Sequence, residues 1–94
     1  MTDPVISQIR EQITNLDRTL VEAVNKRIEL VQQLRGHKER NGVPFLDPAR
    51  EEWMLTYLTR ENSGPLSEEG LAELYAYVLE LTKRETGQLA AKDG

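Results

Sequence analysis

The strongest constraint on the fold is an unbroken helical pattern that covers the first forty residues. Asp3 followed by Pro4 is a strong helix start, because an Asp side chain caps free N–H groups and proline fits the first helical position. No proline interrupts the segment before Asn41-Gly42, which marks its end. Apolar residues recur along it at steps of three and four: Ile6, Ile9, Ile13, Leu16, Leu20, Ala23, Leu30 and Leu34. The sequence therefore predicts one very long helix over about residues 4–40.

Two shorter helices are predicted after it, giving an all-α fold. Asp47-Pro48 repeats the cap-and-proline start, and Ser67 caps the third segment. Gly87 is expected to end that segment. The predicted ranges are a second helix over about 48–62, a third over about 68–86 and a disordered tail over 88–94, within a single domain of residues 1–94.

The length of the first helix predicts an intertwined homodimer. A helix over 4–40 is roughly 55 Å long at about 1.5 Å per residue, whereas a compact domain of this size is only about 30 Å across. Two shorter helices cannot cover its apolar seam. We therefore expect the seam to meet a second copy of the chain.

Composition narrows the function classes. The chain has 94 residues, 38% hydrophobic and 30% charged, with a net charge of −4, which argues against nucleic acid and anionic membranes as partners. With no Cys and one His, neither thiolate chemistry nor a zinc site is expected. No apolar run approaches the ~18 residues of a membrane span, and no signal peptide is recognisable. We expect a cytoplasmic protein with no metal or cofactor.

Arg27 is a charged residue on the apolar seam, between Ala23 and Leu30. A guanidinium does not lose its charge, so its burial requires an anion. Lys38 lies about 20° away in direction and roughly 16 Å along the axis, so the two side chains could hold a small dianion between them. Arg10 lies about 25 Å from Arg27 and can reach the same ligand only from the partner of an antiparallel dimer.

Each of these residues also has an ordinary interpretation. Arg27 could extend to solvent at a dimer edge or pair with a glutamate of the other chain. Lys38 favours the negative end of the helix dipole, and Arg10 alone is typical of a surface residue. Asp47 is a helix cap, and Glu51 is a first-turn acid. Only the combination indicates a site.

The combined pattern resembles the all-helical chorismate mutase family (type II, AroQ). The segments that carry the resemblance are IREQITNLD at 9–17, KRIELV at 26–31, Lys38 and DPARE at 47–51. The family pattern is L-R-x-x-I-D-x-[IL]-D, then R-R-x-L, a lysine eleven residues after the catalytic arginine, and D-x-x-R-E. The resemblance covers almost the whole chain, and the ordered spacing is more specific than any single motif.

The resemblance implies an isomerase that rearranges chorismate to prephenate in phenylalanine and tyrosine biosynthesis, with two sites in an intertwined dimer. Arg10 would bind one carboxylate in the partner's site, and Arg27 would bind the other. Lys38 would contact a carboxylate and the breaking ether oxygen. Asp47 and Glu51 would contact the ring hydroxyl. Arg50 would order this part of the site and contact a carboxylate. Thr82 would lie near the ring carboxylate, where the family usually has serine.

One position departs from the family pattern. A Gln that donates to the ether oxygen usually follows the serine by four residues, where this chain has Thr86. Gln88 lies about 200° further around the helix and would serve only after a register shift. Thr86 would act through water, or Lys38 would be the sole direct donor. If the missing donor limits the reaction, replacing Thr86 by Gln should raise kcat.

The sequence is also compatible with other functions. The same scaffold occurs in mutases acting on 4-amino-4-deoxychorismate, and Asp47 and Glu51 could accept from an amine as readily as from a hydroxyl. It also occurs in isochorismate-pyruvate lyases, although residues 47–51 follow the mutase pattern. Some small mutases of this fold gain activity by docking to the first enzyme of the shikimate pathway. The alternative outside enzymes is a non-catalytic helical dimer or interaction module, with Arg27 fixing the helix register.

Overall fold

The protein consists of three α-helices, seen in a computed structural model that describes the backbone of residues 3–93 and the side chains of residues 3–87. The helices are α1 (Pro4–Arg40), α2 (Pro48–Glu61) and α3 (Glu68–Asp93). This confirms the all-α prediction of one very long and two shorter helices. No helix in the described part of the chain is long and apolar enough to cross a membrane.

The starts of the helices follow from local capping. Oδ1 of Asp3 accepts from the N–H groups of Val5 and Ile6, at 2.8 and 3.4 Å. Oδ1 of Asp47 accepts from the N–H of Arg50 at 3.1 Å, and Ser67 caps α3 in the same way. These side chains satisfy N–H groups that a helix leaves free in its first turn, so each helix begins where the cap residue predicts.

The third helix is longer than the sequence predicted. It continues through Gly87 to Asp93, whereas an end near residue 86 and a disordered tail over 88–94 were expected. One glycine costs a helix only about 1 kcal/mol, and the residues after it are mostly good helix formers. The helix is therefore longer than predicted, whereas the disorder expected over 88–94 stays a prediction, and Gly94 lies outside the described residues.

The apolar seam of α1 is exposed to solvent in the single chain. The principal dimensions are 60 × 32 × 15 Å, and α1 contains no buried residue. Ile13 is 50% exposed and Leu16 is 68% exposed. Among the residues whose side chains are described, Leu71 is the one buried hydrophobic side chain. α1 and α2 both pack against α3, and the part of the seam from Ile6 to Leu20 stays exposed in the single chain.

Candidate active site

A cavity of about 440 Å³ lies between the three helices, and it brings together most of the predicted site residues. α1 contributes Arg27 and Lys38, and the start of α2 contributes Arg50 and Glu51. Apolar side chains form much of the remaining wall. Asp47 and Thr82, which were also predicted for the site, line the cavity as well. The lining residues that were not predicted are Val31, Leu34, Phe45, Leu46, Met54, Leu58, Tyr75, Leu79 and Lys83.

Arg27 reaches the cavity wall formed by α3. Its Nη1 donates a hydrogen bond of 2.6 Å to Oγ1 of Thr82, and that hydroxyl donates in turn to the carbonyl oxygen of Val78 at 2.7 Å. Thr82 is only 3% exposed. Because the threonine proton is directed to the backbone, the hydroxyl oxygen is a fixed acceptor for the guanidinium. One edge of Arg27 is thus held by protein, and its other donors stay available to an anion.

Lys38 is oriented by the loop that joins α1 to α2. Its Nζ lies 3.3 Å from the carbonyl oxygen of Phe45 and donates to it. An ammonium group has three donors, so two remain for a ligand in the cavity. The Phe45 ring lies under the guanidinium of Arg35, 4.8 Å from Cζ to the ring centroid, a contact that helps to hold the loop.

The start of α2 places three charged side chains on the cavity within one helical turn. Asp47 caps the helix through Oδ1 and keeps a second carboxylate oxygen. The guanidinium of Arg50 lies over the Trp53 ring, with Cζ 4.6 Å from the centroid, and Trp53 stacks on Tyr57 at 5.4 Å. Arg50 is therefore positioned by an aromatic face rather than by a carboxylate.

Lys83 is a cavity residue that the sequence analysis missed. Its Nζ lies 2.6 Å from Oε1 of Glu51, which joins α3 to α2 beside the cavity. The helical spacing of α3 could have indicated this residue. Lys83 follows Tyr75 by eight residues and Leu79 by four, so the three side chains lie on one helix face. A lysine next to the predicted Thr82 was therefore a recognisable candidate.

Two predicted site residues do not line the cavity of this chain. Arg10 is exposed on the N-terminal half of α1, far from Arg27 along the helix. Thr86 is fully buried, and its hydroxyl donates to the carbonyl oxygens of Thr82 and Lys83 at 2.8 and 3.2 Å. The side chain of Gln88 lies outside the described residues.

The chemistry available to this cavity is the binding of a small anion, because its cationic side chains outnumber its carboxylates. Arg27 and Lys38 approach from α1, and Arg50 and Lys83 approach from the α2 and α3 sides. No Cys occurs in the chain, and the described residues contain no group of three or more His, Asp or Glu side chains that could hold a metal ion. The arrangement suits orientation and electrostatic stabilisation of a ligand.

Comparison with solved structures shows the same fold in a chorismate mutase from Thermus thermophilus. Form I of that protein superposes with a TM-score of 0.79 at 32% identity, over 82% of this chain and 96% of the other. Form II superposes with a TM-score of 0.82 at 30% identity, over 87% of this chain and 93% of the other.

Sequence comparison finds relatives that are longer proteins. A bifunctional chorismate mutase/prephenate dehydratase of Pseudomonas aeruginosa is 29% identical over 79 residues, which are 79% of this chain and 22% of that protein. A 4-amino-4-deoxychorismate mutase of Streptomyces venezuelae is 36% identical over 45 residues, 48% of this chain and 44% of that protein. The chain thus spans about a fifth of the length of the P. aeruginosa relative.

A family model covers most of the chain. Residues 9–86 match the model of chorismate mutase type II, a range that includes residues of all three helices and every cavity residue named above. With the superposition on the T. thermophilus structures, this match leads to one conclusion. The chain belongs to the chorismate mutase type II family.

Proposed function

We propose that this protein catalyses the rearrangement of chorismate to prephenate. The observation that carries the proposal is the convergence of Arg27 and Lys38 on one cavity with the acceptor groups of Asp47 and Glu51. Chorismate has two carboxylates, an ether oxygen and a ring hydroxyl. The cavity offers cationic donors for the first three groups and carboxylate acceptors for the fourth.

The reaction requires conformational control rather than a nucleophile. The substrate must be held in a compact, chair-like conformer so that the new C–C bond forms as the ether C–O bond breaks. Rigid guanidinium forks match carboxylates in geometry and charge, so Arg27, held by Thr82, fixes one of them. Restricting the flexible diacid in this way lowers the entropic part of the barrier.

Lys38 is the donor proposed for the ether oxygen. Negative charge grows on that oxygen as the C–O bond opens, and a donor already in place stabilises the transition state more than the ground state. Lys38 is held by its bond to the Phe45 carbonyl, which fixes the ammonium before the substrate arrives. By analogy with oxyanion holes such a donor lowers the barrier by about 3 kcal/mol.

The ring hydroxyl is proposed to bind at the α2 end of the cavity. Glu51 lies there, with one carboxylate oxygen paired to Lys83, and Asp47 keeps the oxygen that does not cap the helix. Arg50 orders this corner through its contact with Trp53 and contacts a substrate carboxylate. Thr82 acts through Arg27, because its hydroxyl proton is directed to the Val78 carbonyl.

The hydrogen bonds of Thr86 make it a poor donor to the ether oxygen. Its hydroxyl donates to two backbone carbonyls, and the side chain does not line the cavity. A direct bond to the ether oxygen would require that hydroxyl to turn away from both acceptors. We therefore propose that Lys38 is the direct donor in this chain, and that the position of Thr86 is one from which a longer side chain would add a second.

The active unit is proposed to be an intertwined homodimer. The exposed seam of α1 supports this, because burying residues such as Ile13 and Leu16 against a second copy would remove large apolar side chains from water. In that arrangement the partner's Arg10 would enter the cavity and bind the second carboxylate. Each site would then be incomplete in a monomer.

A second candidate substrate is 4-amino-4-deoxychorismate, which the similarity to the S. venezuelae enzyme favours. It differs from chorismate only in carrying an amine where chorismate has the ring hydroxyl. The group facing Glu51 therefore decides between the two substrates.

The test is a direct assay on the purified full chain. Adding the protein to chorismate should cause loss of chorismate absorbance, with prephenate as the product by chromatography. Light scattering on the same sample should give the mass of a dimer at micromolar concentration. Absence of turnover by a folded dimer would contradict the proposed activity, whereas turnover by a monomer would contradict the shared site.

A further inference from the structure

The ion pair between Lys83 and Glu51 has a consequence for substrate choice. Nζ of Lys83 and Oε1 of Glu51 are 2.6 Å apart, and both residues line the cavity. We propose that Lys83 is a specificity-determining residue, which makes the Glu51 end of the site accept a neutral hydroxyl and disfavour an ammonium group. This inference rests on the proposed function, because it concerns the group on the ring of the substrate.

The charges at this end of the cavity support the inference. The start of α2 contributes two carboxylates, Asp47 and Glu51, and one cation, Arg50, to the cavity, and Lys83 of α3 adds a second cation, so these four side chains have a formal charge of zero together. A hydroxyl can donate to a carboxylate oxygen of Glu51 while Lys83 remains paired to the other face of the group. No additional charge then has to be accommodated.

An ammonium group at the same place meets a different situation. The amine of 4-amino-4-deoxychorismate is protonated near neutral pH, and it would approach Glu51 within a few ångströms of the Lys83 ammonium. Like charges at such a distance repel, and an already paired carboxylate attracts a further cation less strongly than a free one. If Lys83 is made neutral, the local charge becomes −1 and the end of the site favours a cation.

The contact contributes little to stability, which makes it suitable for substitution. The side chains of Lys83 and Glu51 are 40% and 31% exposed, so solvent screens their attraction. Replacing Lys83 by a neutral residue leaves no charge buried without a partner. Loss of folding is therefore not expected to obscure the effect on the substrate.

The experiment compares kcat/KM for the two substrates in each of four proteins. They are the unchanged chain, Lys83→Gln, Lys83→Arg and Arg84→Gln. Arg84→Gln is the matched control, because it removes one positive charge from the neighbouring position, where the side chain pairs with Glu85 and lies outside the cavity. The ratio of kcat/KM for chorismate to that for the amino substrate cancels any loss of folded protein.

The unchanged chain should prefer chorismate, and Lys83→Gln should move the ratio toward the amino substrate by about tenfold. Lys83→Arg and Arg84→Gln should keep the original ratio. An unchanged ratio in Lys83→Gln, or a shift of equal size in Arg84→Gln, would overturn the inference, as would preference of the unchanged chain for the amino substrate. Absence of turnover of chorismate by the unchanged chain would instead overturn the proposed function.

Discussion

Nη1 of Arg27 donates a 2.6 Å hydrogen bond to Oγ1 of Thr82, which joins the middle of α1 to α3 across 55 positions of sequence. This bond explains how a charged residue is accommodated on an otherwise apolar seam. The guanidinium is turned toward a cavity instead of toward the exposed helix face, and one of its donors is satisfied by a buried hydroxyl. Arg27 is thereby aimed before any ligand binds.

Thr82→Val should weaken substrate binding by removing the acceptor that aims Arg27. A hydrogen bond to a charged group contributes about 1.5–3 kcal/mol, so kcat/KM should fall roughly tenfold or more, mainly through KM. Thr82→Ser keeps the acceptor oxygen and should stay close to the unchanged chain. Steady-state kinetics on the three proteins provide the measurement. Equal values of kcat/KM for the Thr82→Val and Thr82→Ser variants would show that the hydroxyl does not position Arg27.

Lys38→Ala should lower kcat by about 10²–10³, the effect of removing one donor that stabilises developing negative charge. The matched control is Lys26→Ala, which removes an exposed lysine of the same helix that pairs with Glu29 and does not line the cavity. Chorismate consumption under saturating substrate gives both values. If Lys38→Ala retained most of its turnover, Lys38 would not be the donor to the ether oxygen.

Mixing two inactive variants should restore activity if Arg10 acts across the interface. Arg10→Ala and Lys38→Ala should each be inactive alone, because each lacks one part of every site. After exchange of subunits, half of the dimers contain one chain of each kind, and one site in each of these is intact. About a quarter of the original activity should return. No recovery, despite subunit exchange shown by native mass spectrometry, would place Arg10 outside the partner's site.

Thr86→Gln should raise kcat by placing an amide donor one helical turn beyond Thr82. The matched variant is Thr86→Met, which has a similar length and no N–H group. Thr86 is fully buried, so both larger side chains should cost stability, typically about 1–3 kcal/mol. Only the Gln variant should gain in kcat, with thermal unfolding measured beside the kinetics. Equal kcat in both variants would mean that this position does not reach the ether oxygen.

Ser67→Ala should destabilise the protein by about 1 kcal/mol through loss of the α3 cap. Oγ of Ser67 accepts from the N–H of Gly70 at 3.0 Å, and the alanine variant leaves this N–H to water. Ser63→Ala, in the exposed loop before the helix, is the control and should change stability little. Urea unfolding at fixed protein concentration measures the difference. Equal midpoints for the two variants would show that Ser67 does not cap the helix.

The sequence alone determined the starts of the helices and the common direction of the two α1 cations. Helix starts depend on caps such as Asp3 and Asp47, which act on N–H groups within three residues. The common direction of Arg27 and Lys38 follows from their spacing of eleven residues, about three helical turns, and both line the cavity. Contacts between residues close in sequence, and positions along one helix, can be predicted from the local sequence. The apolar seam of α1 can be predicted in the same way.

Tertiary structure decided which groups meet across helices. The contact of Lys83 with Glu51 and that of Arg27 with Thr82 depend on how α3 crosses α1 and α2, and spacing along the chain does not specify a crossing. The same packing buries Thr86 outside the cavity, although its position in the sequence matched a family site. The end of α3 was predicted too early, because one glycine is a weak local signal against the helix-forming residues around it.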